Sequence, residues 1–158
     1  MNSNHDTLIN ELITLLTGKG AHVSFSEAVE RLPANLRGVK PDNMPYSIWQ
    51  LVEHIRIAQW DMLEFSRDTS HESPKWPDEY WPDEAAPGSD DAWDASLKKI
   101  DSDLQEFINL LKNADNIYEP FGHGSGQNLL REALQIADHT AYHTGEILAI
   151  RRMLCAWT

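Results

Sequence analysis

Apolar residues recur along the chain at spacings of three and four, and no stretch sustains period-two alternation, so the pattern predicts an all-α fold. The first helix is expected from about Asn4 to Thr17, with Leu8, Ile9, Leu12, Ile13, Leu15 and Leu16 as its apolar face and Gly18 and Gly20 ending it. A short helical piece from Ser24 to Leu32 follows, opened by the capping-box spacing of Ser24 and Glu27 and stopped by Pro33. Residues 33–46 hold three prolines and read as an irregular connection.

The second long helix opens at Ser47, where Ser47-Ile48-Trp49-Gln50 matches the S-x-x-Q capping box. Its stripe is Ile48, Leu51, Val52, Ile55, Ala58, Met62 and Leu63. Ser66 to Ser89 is a long segment with four prolines and the aromatics Trp76, Tyr80 and Trp81. Connections of this length in a compact domain are usually functional coverings or linkers, and three aromatics point to a docked covering. The third long helix, about Asp90 to Lys112, begins with acids and turns inward Trp93, Leu97, Ile100, Leu104, Phe107, Ile108 and Leu111. The fourth runs from about Gln127 to Cys155, after the glycine-punctuated turn 121–126.

The fourth helix carries the chemistry. His139 and His143 stand at i and i+4, so they leave one face about one turn apart and two imidazoles can grip one ion. At 100° per residue, Glu132, His139, His143, Glu146 and Ile150 share a strip, opposite Leu130, Leu134, Ala137, Ala141 and Leu148. Ile136 and Ile147 flank the strip, which places that side against protein rather than bulk water. An HxxxH pair also arises by chance, and histidines on an apolar face often only pack and hydrogen-bond. His54 adds a third imidazole on or beside the buried stripe of the second long helix. Three inward histidines on two helices fit a tri-histidine site with open positions, suited to zinc, nickel, iron or copper. Glu146, one turn beyond His143, is the candidate for orienting a ligand or serving as general base; Glu53 and Asp138 point about 100° away from the ligand positions.

Other features read as plain. His5, His22 and His71 are expected in solvent, and His123 in a simple turn. Arg151 and Arg152 suit the negative end of the last helix, and Cys155 is expected to pack near it. A chain of 158 residues is one domain long, with 41% hydrophobic and 24% charged residues, near the globular average. Its formal net charge of -12 sets it against nucleic acid and anionic membranes as partners. A single cysteine excludes an internal disulfide and agrees with a reduced, cytoplasmic setting. Met1 to Asp6 lacks the basic-then-apolar pattern of a secretion signal, and no apolar run reaches 18 residues.

His54 within Ile48-Trp49-Gln50-Leu51-Val52-Glu53-His54-Ile55, the segment Ala137 to Glu146, the loop Trp76 to Pro82 and the terminal Arg151 to Leu154 together resemble the DinB/YfiT-like superfamily over nearly the whole chain. The resemblance implies an up-down-down-up four-helix bundle, often dimeric, with a divalent metal on three histidines that fall here on His54, His139 and His143. It also implies small-molecule chemistry, since members include S-transferases and isomerases that use low-molecular-weight thiols, while others have no assigned reaction. The family name comes from damage-inducible expression and does not imply DNA binding. Glu146 stands where many relatives carry Gln, and Cys155 where Gly is frequent.

Overall fold

The computed structural model describes residues 3–157, and no strand occurs among them. Five α-helices follow in order: α1 (Ser3–Leu16), α2 (Phe25–Val29), α3 (Ile48–Arg67), α4 (Asp90–Asn113) and α5 (Leu129–Met153), with 3-10 turns at Ala34–Leu36 and Asp78–Tyr80. Short polar side chains set the starts. Ser24 and Ser47 form full capping boxes with Glu27 and Gln50, while Ser89 and Asn128 accept from the third backbone N–H of α4 and α5.

α3 is the hub, packing against both α4 and α5. Trp49 meets Trp93, Gln59 reaches the Ile100 carbonyl and Arg67 pairs with Glu106, so α3 and α4 run parallel. His54 meets His139 on α5, while Phe65, near the far end of α3, meets Phe121 just before α5, so those two helices run antiparallel. α1 bridges α4 and α5, completing the up-down-down-up bundle. Two apolar clusters fill it. One gathers α2, the first half of α3, Trp93, Ile100 and the end of α5; the other gathers α1, Leu63, the end of α4, Ile117 and the start of α5. No helix among the described residues is long and apolar enough to cross a membrane.

Several expectations shift. α2 ends at Val29, because Arg151 captures the carbonyls of Ala28 and Glu30 at 2.7 and 3.0 Å and the chain leaves the helix there. Arg151 does stand in the last turn of α5, and it is also a buried tie between α5, α2 and the carbonyl of Ala156. Cys155 is exposed, with φ of 54°, because the chain turns sharply away from α5 at that point. On α5, Leu134 is 47% exposed and Ala141 half-buried, so burial centres on Ala133, Ile136, His143 and Ile147 rather than on the stripe opposite the histidines.

The long connection is docked in part. Ser47, wholly buried, accepts from the Gln50 N–H and donates to the Ala85 carbonyl at 2.5 Å, so one hydroxyl caps α3 and anchors the loop. Gly38 permits the same approach, since a Cβ there would collide with Ala86. Trp81 and Tyr80 pack inward; Trp76 does not, and is 70% exposed at the loop's outer edge. His71 is half-buried against α3, its Nε2 2.8 Å from Asp61 and its ring edge-on to Trp60, because the loop folds back instead of passing through solvent.

Replacing Ser47 by Ala removes both bonds. The variant is expected to lose about 1–2 kcal/mol of stability in chemical denaturation and to be cut faster by protease within residues 68–89. Wild-type resistance at that loop would show that the hydroxyl does not anchor it.

Candidate metal centre

α3 and α5 present three imidazoles to one point, at the level where the two apolar clusters meet. His54 comes from the stripe of α3, and His139 and His143 from consecutive turns of α5. One ligand nitrogen from each lies within 4.8 Å of the others, and the ring centroids are 4.5 to 4.8 Å apart. His54 and His143 are buried, and His139 is half-buried.

Hydrogen bonds fix which nitrogen faces inward. The Tyr80 carbonyl lies 2.9 Å from His54 Nδ1, which must therefore carry the proton, leaving the Nε2 lone pair free. Glu146 Oε2 lies 2.6 Å from His143 Nδ1, and the same logic frees Nε2 of His143. His54 Nε2 and His139 Nε2 are 3.0 Å apart. Two lone pairs repel at that distance, so either His139 donates a proton across the gap or a cation takes its place. A tetrahedral ion bonded to two imidazole nitrogens would set them roughly 3.3 Å apart, close to the separation present. The residues therefore fit a divalent metal ion, and this tri-histidine cluster could hold one.

Packing restrains the ligands. Trp81 lies flat on His54 with centroids 3.8 Å apart and planes 5° from parallel, and Tyr46 stacks on the other face of Trp81 at 3.7 Å. Tyr46 and the Tyr80 carbonyl thus help to orient His54. Neither was visible as a site group in the sequence: Tyr46 sits in an irregular connection, and a backbone carbonyl has no residue-type signature. Asp61 clamps the loop further, accepting from the Tyr80 hydroxyl at 2.6 Å and engaging His71. Glu53 is taken up by a two-bond pairing with Arg56, Asp138 is exposed, and His123 reaches the Phe65 carbonyl, so none of these joins the cluster.

A family model of the DinB superfamily matches residues 20–147. The chain belongs to the DinB superfamily. The matched span contains all three clustered histidines and the covering loop of this DinB chain. No curated protein and no solved structure matches it at a significant level.

Burial holds the His139 imidazole down to about 3, helped by the neighbouring imidazoles of His143 and His54. Burial also lowers His54, against the opposing pull of the Tyr80 carbonyl. Neutral rings are what a metal requires. For the metal-free protein the sign follows from linkage. His139 titrates lower in the folded state than its ordinary 6.5, so between those values the unfolded chain binds more protons. Stability is then full above about 6.5 and falls as pH drops toward 3. In chelator, denaturation midpoints measured from pH 7 to pH 5 should decline less steeply for His139→Leu than for the wild type. Parallel declines would contradict a neutral, buried His139.

Proposed function

We propose that this DinB-superfamily chain is a metal-dependent enzyme of the thiol-dependent S-transferase or hydrolase type, acting on a small molecule. The divalent ion, zinc, nickel or iron, would be held by His54, His139 and His143. The observation that carries this reading is the convergence of three imidazoles, two with their inward nitrogens fixed by hydrogen bonds on the far side of the ring. Bound there, such an ion supplies Lewis acidity and lowers the pKa of a water or thiol ligand.

The chain's own residues do the rest. Glu146 holds His143 in register and, by accepting from Nδ1, makes Nε2 of that ring a stronger electron-pair donor. Trp81 and the Tyr80 carbonyl keep His54 from rotating and exclude water from its face. The approach is from the half-buried His139 side, where the exposed ring of Tyr142 lies 4.9 Å from His143. A low-molecular-weight thiol would be the co-substrate of the transferase form. The same proposal includes a cytoplasmic homodimer, supported by the family resemblance and by the single cysteine.

A second reading has an observation in its favour. His54 is 2% and His143 7% exposed, and Trp81 covers one of them, as in a closed structural metal site. Substitution with cobalt(II) separates the two. An enzyme with a vacant coordination position should change its visible spectrum when a small thiol is added, whereas an unmoved spectrum would favour a non-catalytic binding module.

Elemental analysis should find about one divalent ion per chain. His54→Ala and His139→Ala should each bind it at least tenfold more weakly, and unchanged content in both would defeat the tri-histidine assignment. Glu146→Gln keeps an acceptor oxygen but loses the charge, and is expected to weaken metal affinity roughly tenfold, at the low end of the effect of losing such a partner. If affinity stays at the wild-type value while turnover collapses, Glu146 is a proton acceptor for substrate rather than the support of His143.

A further inference from the structure

On the far side of the α3–α5 pair from the histidines, a cavity of about 570 Å³ opens between α1, α2, α4 and α5. It does not include His54, His139 or His143. Its origin lies in the helix order and in side-chain size. α4 and α5 pack on α3 rather than on each other, and α5 presents Ala137, Thr140, Ala141 and Thr144 to the gap between them. Thr140 and Thr144 each follow a clustered histidine by one residue, so they leave α5 about 100° away from the metal face. Interiors pack with few voids larger than a water molecule, whereas small-molecule sites span roughly 300–1,000 Å³. This space falls within that second range.

The walls are apolar, with Leu16, Val29, Trp93, Leu97 and Leu104 among them. Two of its buried side chains, Gln59 and Thr144, offer acceptors. Gln59 is 2% exposed and lines the cavity, and its Nε2 donates to the Ile100 carbonyl at 2.6 Å. That bond settles the orientation of the amide, because only the nitrogen can face a carbonyl. Gln59 Oε1 is left without a hydrogen-bond partner among the described residues. Thr144, also 2% exposed, spends its hydroxyl proton on the Thr140 carbonyl and offers only lone pairs. At the rim, Arg37 reaches Asp90 through Nη1 and lies over Trp93 while its Nε is buried without a partner among the described residues; Arg31 is paired with Glu30, and Asp94 and Asp101 are exposed. Gln59 Oε1 is thus an acceptor that a molecule in the cavity can reach.

We propose that this cavity is a second small-molecule site, for an apolar, largely aromatic ligand that is uncharged or cationic and donates a hydrogen bond to Gln59 Oε1. Trp93 supplies an aromatic wall, and the acidic rim of a chain with net charge -12 turns anions away. The proposal does not depend on an ion at the histidine cluster.

N-phenyl-1-naphthylamine, neutral and apolar with one N–H, is a suitable probe for the purified full-length chain. Its fluorescence should rise to saturation at one probe per chain, and the N-methylated analogue, lacking the donor, should bind about five- to tenfold more weakly. Gln59→Leu should abolish the difference between the two probes. Ala141→Phe, which fills the rim, should weaken both at least tenfold while leaving metal content and helical circular dichroism at wild-type values. Leu97→Trp takes its place if Ala141→Phe fails to fold. Equal affinity for the two probes in the wild type, or unchanged binding in the filled variant, would overturn the proposal. So would a dimer by light scattering whose formation expels the probe, because a second copy would then occupy the site.

Discussion

Two imidazole nitrogens 3.0 Å apart, one on α3 and one on α5, are the contact on which the arrangement turns. Neighbouring lone pairs at that distance need an electrophile between them, and the protein has limited the possibilities by committing His54 Nδ1 to Tyr80 and His143 Nδ1 to Glu146. Burial then makes a charged ring costly, so the contact is met either by a neutral His139 that donates its Nε2–H to His54 or by a divalent ion, which the cluster could hold. The antiparallel run of α3 and α5 supplies the geometry, and apolar clusters on either side hold the two helices at a fixed spacing.

Much of this was legible in the sequence because it followed periodicity. The HxxxH spacing on an amphipathic helix, a histidine on an apolar stripe, and Ser47 three residues before Gln50 are local signals, and local signals survive into the fold. What was not legible depended on distant chain returning to the site. His71 looked solvated until the loop brought it to Asp61, ten residues back on α3. Arg151 matched a helix-dipole role, yet its guanidinium fork reaches carbonyls more than a hundred residues away. Cys155 and Trp76 erred the other way: residue type suggested burial, and the path of the backbone left them in solvent.

One polar position on the metal face of α5 has no such local account. Glu132 lies two turns before His139, is 7% exposed, and is pushed above the ordinary carboxyl range by burial, only partly offset by Arg131, with Asp61 across on α3 adding to the rise. Asp61 itself stands two turns after His54 and is already engaged by Tyr80 and His71. The strip that carries imidazoles at one level thus carries acids at the next, and the α3–α5 seam stays polar over several turns while both flanks are apolar. A seam of this kind specifies helix register more sharply than interchangeable aliphatic contacts do.

The parallel course of α3 and α4 has a consequence for the covering of the centre. A helix the length of α3 extends roughly 30 Å, and a strand of extended chain crosses that span in about nine residues. The connection from Arg67 to Asp90 is more than twice as long. A connection cut to the minimum would still return the chain to the start of α4, but it would have no slack to coil back over α3. The excess length is what allows Tyr80 and Trp81 to settle on His54, so shortening this crossover should leave the bundle's connectivity intact while stripping the ligand of its restraint.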